Sequence, residues 1–164
     1  VFLSAISILL LLLLGCSRQQ NQGAPTEILN DEEIAQHALM EFLENLHDGN
    51  YEEAARFYGG PYDALIDQNP GLDPNDHAAL LRNACTINGM QCLQGNIIGL
   101  DDKVSGTSYI FIVELHQDDG TLFELGPCCG GDQANSPSQS VFLFTVTNGD
   151  QNEFAVMDLP PYAP

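Results

Sequence analysis

Two hydrophobic textures divide the chain. Over 30–48, apolar side chains recur at helical spacing, with Ile34, Ala38, Leu39, Phe42, Leu43 and Leu46 forming one stripe. That period predicts an amphipathic helix. Asn30 suits its N-cap, with Glu33 three residues on as in a capping box, and Gly49 suits its stop. A shorter helix is predicted from Asn50, with Ala54, Ala55, Phe57 and Tyr58 inward and Gly59-Gly60 at its end. One or two more helical turns fit 61–68. Asp73-Pro74 reads as a cap followed by proline at the first helical position. It opens a helix to about Ala84 that buries Ala78, Leu80 and Leu81 in part.

From Cys92 onward the period is two. Residues 94–100 make a weak strand and 107–117 the strongest one. Tyr109, Phe111, Val113 and Leu115 share one face of it, and Ile110, Ile112, Glu114 and His116 share the other. Asp118-Asp119-Gly120 predicts a hairpin turn into a return strand over 122–126. A Gly-, Pro- and Ser-rich loop follows over 127–137. Strands are then predicted over 139–147 and 153–158, with Asn148-Gly149-Asp150 turning between them. Helices first and strands afterwards predict an α+β fold. Its N-terminal helices pack on one face of a curved antiparallel β-meander of four to five strands, and the other face is left partly open.

Charge narrows the function classes. The chain has 164 residues, with 4 Lys and Arg against 23 Asp and Glu, a net charge of −19. Phosphate backbones demand basic residues, so general nucleic-acid binding is excluded. Adhesion to anionic headgroups is disfavoured for the same reason.

All the charge lies beyond Cys16, behind an uncharged apolar run over 1–14. A spanning helix needs about 20 apolar residues; this run stops at Gly15-Cys16 and is interrupted by Ser4 and Ser7. It fits the apolar region of a signal peptide, about 7 to 15 residues with a small residue at the cleavage site. The basic n-region is missing, since no Lys or Arg precedes Arg18, and the chain opens on Val rather than Met. A truncated sequence or an alternative start codon is expected to account for both.

Leu13-Leu14-Gly15-Cys16 resembles the lipobox of bacterial lipoproteins. The resemblance implies cleavage before Cys16 and a diacylglycerol on its sulfur. Residues 1–15 are then a lipoprotein signal peptide, and 16–29 hold the lipidated Cys16 and a flexible tether. Residues 30–164 form a single α+β domain. The implied address is the bacterial cell envelope, on the extracytoplasmic face (outer surface or periplasm), with the membrane engaged through Cys16. Several acyl chains anchor stably where one does not, and these lipoproteins carry two or three.

Gly49-Asn50-Tyr51-Glu52-Glu53-Ala54-Ala55, after a helical stripe and before a meander, resembles small bacterial lipoproteins with a nuclear-transport-factor-like domain, a cystatin-like α+β cone. That group includes isomerases, dehydratases and binding modules, so the resemblance implies a fold and leaves the activity open.

Four cysteines remain after Cys16: Cys85, Cys92, Cys128 and Cys129. Outside the cytoplasm they can pair, with three connectivities available. A local Cys85–Cys92 disulfide, from a helix end to a strand start, is geometrically easy. In a meander Cys92 begins the first strand and Cys128 ends the third, on opposite sheet edges and about one strand length apart, roughly 23 Å. A disulfide needs Cα atoms within about 7 Å. Cys128-Cys129 are left as adjacent thiols or a vicinal disulfide.

No zinc spacing or C-x-x-C motif is present. Asp67-Gln68-Asn69 and 73–77 lack the calcium-loop pattern. His37, His47 and His77 fall on helices at no ligand spacing, and the aromatic character of the Tyr109 face turns Glu114 and His116 to solvent. Asp158, on the last predicted strand, shares the ambiguity of facing core or solvent. No catalytic residue, metal ligand or cofactor is therefore assigned. The favoured role is a binding or accessory module that holds a small apolar ligand in the helix–sheet cleft, or meets an envelope protein. The alternative is a cone-fold enzyme of isomerase or dehydratase type that uses a cavity carboxylate or His as base.

Overall fold

The computed structural model describes residues 29–104, 107–126, 138–149 and 153–163. The signal-peptide, lipidation and tether expectations fall outside these residues, and so do Cys16, Cys128 and Cys129.

Helix α1 (Asp31–His47) starts at the expected cap. The Asn30 side-chain oxygen accepts from the Glu32 and Glu33 amides at 3.0 and 3.1 Å, and the Asn30 amide donates to Glu33 Oε2 at 2.7 Å. Such a box satisfies backbone donors that the first turn leaves orphaned. The buried stripe is Ala35, Ala38, Leu39, Phe42, Leu43 and Leu46. Ile34 does not belong to it: Ile34 is 39% exposed and Ala35 takes the inward place with 0%.

Helix α2 (Tyr51–Phe57) buries Ala54, and α3 (Asp63–Gln68) buries Leu65. Helix α4 (His77–Thr86) begins later than Asp73-Pro74 predicts. The Asp73 carboxylate turns back on the Asn75 amide at 2.9 Å, and the Asp76 amide donates to the Asp73 carbonyl at 3.0 Å. Those bonds make a separate turn. Asp76 is the cap, accepting from the Ala79 amide at 3.0 Å. Leu80, Leu81 and Ala84 are its buried residues. Asn69 joins α3 to α4: its side-chain Nδ2 donates to the Leu65 carbonyl at 2.8 Å, and its Oδ1 accepts from Asn83 Nδ2 at 3.0 Å.

The strands are β1 (Gln94–Lys103), β2 (Ser108–His116), β3 (Val141–Asn148) and β4 (Phe154–Val156). They form one antiparallel sheet in the order β1-β2-β3-β4, which establishes the α+β meander. Phe111 lies opposite Phe144, Val113 opposite Phe142, and Tyr109 opposite Val146. These residues are buried against the helices, so the Tyr109 face is the core face, as its aromatic content implies. Register shifts after Ile97 and Leu100 mark bulges in β1, and bulges bend a strand. At Gly95 the helix layer comes close: a Cβ there would meet Leu43 Cδ1 at 2.5 Å and Leu43 Cβ at 3.2 Å.

The return strand over 122–126 is a correction. Strand β2 pairs with β1 on one edge and β3 on the other, so this segment keeps only single bridges, His116 with Leu122 and Leu125 with Gln139. The Phe123 amide donates to the Leu115 carbonyl at 2.8 Å, and its ring turns inward beside Phe142, centroids 6.0 Å apart. The turn before it does form, with Gly120 at φ 82°. Strand β4 is also shorter than 153–158. Asp158 Oδ2 takes the Thr145 amide at 2.6 Å, a side chain standing in for the ladder.

Candidate functional site

The space between α1 and the sheet is filled by side chains. Leu39, Phe42 and Leu46 from α1 meet Tyr109, Phe111, Val113 and Phe144 from the strands, all fully buried. Ring contacts tie the layers together, with Phe42 against Tyr58 at 5.7 Å and Tyr109 against Phe154 at 5.8 Å.

The concavities open at the surface instead. One groove of about 390 Å³ lies between α1, α2 and β4. His37, Glu53, Arg56 and Glu153 stand around a floor that includes Phe57 and Phe154. Arg56 Nη1 pairs with Glu53 Oε2 at 3.0 Å, and His37 Nε2 lies 3.5 Å from Glu41 Oε1. These pairs are solvated, and exposed pairs contribute about 0–1 kcal/mol. The groove can hold a small ligand with one apolar and one polar side. It does not set two groups against one reacting atom in a dry pocket, which acid–base work demands.

Glu114 and His116 lie on the sheet face turned away from the helices. Glu114 Oε2 is 3.6 Å from His116 Nε2, and both side chains are about three-quarters buried. His116 Nδ1 is 3.4 Å from the Gly120 carbonyl oxygen. The pair is thus on the expected face and closer together than two solvated side chains need be. The helical histidines also differ from simple solvation. His77 stacks on Tyr62 at 3.8 Å, and His47 Nδ1 lies 3.4 Å from the Cys92 carbonyl oxygen. His37 alone of the three is exposed without such a contact to another element.

The sequence does not announce a tyrosine cluster at the end of α2. Tyr58 meets Tyr62 edge to face at 5.0 Å, and its hydroxyl donates to the Pro61 carbonyl at 3.1 Å. The Tyr62 and Tyr162 hydroxyls are buried with no protein partner among the described residues. Such groups call for an ordered water. The i, i+4 spacing of Tyr58 and Tyr62 was the one visible signal; nothing in the sequence ties Tyr162 to them.

Burial pushes the Tyr62 hydroxyl up to about 12. It raises Tyr58 as well, where Tyr62, Asp158 and Tyr162 add unfavourable charge, and Tyr162 rises by burial. The folded chain therefore holds these protons at pH values where the unfolded chain releases them. The resulting stability is fully present below the ordinary tyrosine pKa of about 10 and is lost as pH rises towards 12. The urea midpoint is expected to fall between pH 10 and 12. Tyr62→Phe is expected to flatten that fall while leaving the midpoint at pH 8 nearly unchanged, since the hydroxyl has no partner among the described residues to lose.

Cys85 and Cys92 form a disulfide, with Cα atoms 5.5 Å apart. Closing so short a loop contributes about 2–3 kcal/mol by chain entropy. The loop is a docking point for the C-terminal segment. Met90 bridges Tyr162, the Gln91 amide donates to the Pro161 carbonyl at 2.9 Å, and the Ala163 amide donates to the Gly89 carbonyl at 3.0 Å. Among the described residues, no three His, Cys, Asp or Glu side chains are placed to hold a metal ion, and no helix is long and apolar enough to cross a membrane. No known protein family matches the chain, and no curated protein matches it either.

Proposed function

We propose that this protein is a lipid-anchored lipoprotein of a bacterial cell envelope whose extracytoplasmic α+β domain works by binding. Its ligand is a small apolar molecule or another envelope protein, met at the surface of the domain. Leu13-Leu14-Gly15-Cys16 behind its apolar run supports the address. The Cys85–Cys92 disulfide suits an oxidising compartment.

One observation carries the binding role: side chains already occupy the space between α1 and the sheet, the place where a cone-fold enzyme of the resembled group would keep its cavity. An isomerase- or dehydratase-like activity is the second reading, and the close Glu114–His116 pair is what favours it. That pair would need a substrate on the open sheet face.

The test is fractionation of cells with intact-mass measurement. The wild-type chain is expected in the membrane fraction, beginning at Cys16 with a lipid-sized excess mass, and with Cys85 and Cys92 protected from alkylation until reduced. Cys16→Ser is expected in the soluble fraction with an unchanged circular-dichroism spectrum. Normal membrane retention of that variant overturns the anchor.

A further inference from the structure

The sheet has a second face, and its chemistry is unusual for a chain this acidic. Ile112 on β2 lies opposite Gly99 on β1 and Leu143 on β3, while Glu114 lies opposite Val141. This row faces away from the helices. Leu143 is 54% exposed, Val141 39%, and Ile98, in the bulge beside Gly99, 48%. Single exposed apolar residues are ordinary, whereas a contiguous patch marks a contact surface.

Beside His116, whose Nε2 lies 3.6 Å from Glu114 Oε2, the other charged side chains around and within the patch are all acidic. Asp102 lies opposite Ile110 on the same face, and Asp118 and Asp119 are exposed in the turn after β2. The described cations are elsewhere: Arg56 on α2, Arg82 on α4, and Lys103 with its Nζ 4.9 Å over the ring of Tyr109, a core-face residue. A second copy of the chain would bring like charges together across the contact, Glu114 and Asp102 on each side, in a molecule of net charge −19. Like charges across an interface suppress pairing.

We infer that the outer face of the sheet docks a basic, amphipathic polypeptide segment in which apolar side chains alternate with Lys or Arg. The apolar side chains cover Ile112, Val141 and Leu143, and the basic ones meet Glu114 and the aspartates at the margin. An extended segment presents alternate side chains to one side, which suits an open sheet face. The inference deepens the binding role proposed above and rests on it, but not on the lipid anchor: fractionation of Cys16→Ser tests the anchor, and peptide binding tests this surface.

The probe is a short, fluorescently labelled peptide of alternating lysine and leucine, titrated against the full chain with anisotropy as the readout. Binding is expected, weaker at higher salt as surface charges are screened. The double variant Val141→Glu/Leu143→Glu is expected to weaken it about tenfold or more, because apolar contact is lost. Met40→Glu/Ile87→Glu places the same two charges on exposed positions of the helical layer, 51% and 70% exposed in the wild type, and is expected to leave binding unchanged or tighter. The two variants are equally acidic, so opposite outcomes separate a docking surface from general charge attraction. Absence of binding, equal effects of the two variants, or equal binding of a lysine–glycine peptide overturns the inference. So does a concentration-dependent dimer in sedimentation that Val141→Glu/Leu143→Glu abolishes, since the face would then belong to a second copy.

Discussion

Phe42→Ala is expected to lower the unfolding free energy by about 3–5 kcal/mol, the usual cost of emptying a buried aromatic site. Phe42 has 0% exposure, projects from the middle of α1 and stacks on Tyr58, with ring planes 14° apart. Its neighbours come from the helices and the strands alike, so the cavity cannot close by moving one of them. Domains of this size hold only about 5–15 kcal/mol in total. A urea titration should show the midpoint falling with the slope kept, the sign of lost stability rather than altered compactness. Met40→Ala is the control on the same helix. Met40 is 51% exposed, and a change of about 0.5 kcal/mol or less is expected. Equal losses at the two positions would mean that α1 does not pack as described.

Gly60→Ala should cost about 1–3 kcal/mol, the usual range for forcing atoms into a filled site. Tyr58 pairs in parallel with Val156, and the Gly59 amide donates to the Val156 carbonyl at 2.9 Å, so the chain leaving α2 runs against β4. A Cβ at Gly60 would strike the Met157 carbonyl oxygen and the Tyr58 hydroxyl. The first is backbone and cannot rotate away; the second is fixed by its bond to Pro61. Gly71→Ala is the contrast. A Cβ there meets nothing within 4 Å, and the smaller entropy of the unfolded chain makes the change neutral or slightly stabilising. Thermal melts of both variants decide the matter: equal melting temperatures would dismiss the close approach at Gly60.

Gly60 also shows where sequence reasoning stops. Gly59-Gly60 is legible as the end of a helix, and that is true. The harder constraint, the backbone oxygen of Met157 just past β4 and nearly a hundred residues on, leaves no mark near position 60. Elements fixed by local rules were readable: the Asn30–Glu33 box, the alternation that buries Tyr109 and Phe111, and the short step from Cys85 to Cys92. Misjudged elements were decided by competition. Residues 122–126 have strand-like alternation, but Val141–Asn148 is longer and brings Phe142, Phe144 and Val146 to the same ladder. Asp73-Pro74 is a good helix start by composition, and Asp76 a better one once Asp73 spends its carboxylate on Asn75. Of the candidate surfaces, the Glu114–His116 face was legible as a face. Its apolar continuity across three strands was not, because that depends on the register between strands.

The docking of the C-terminal segment on the 85–92 loop also sets how the domain bears tension. A pull on residues 160–163 does not act first on β4, the shortest strand. Two hydrogen bonds pass it to Gly89 and Gln91, inside a loop closed by a covalent link. That loop cannot lengthen, so the load travels into α4 and the base of β1. Residues 161–163 are thus moored to a covalently closed loop rather than to a free strand edge.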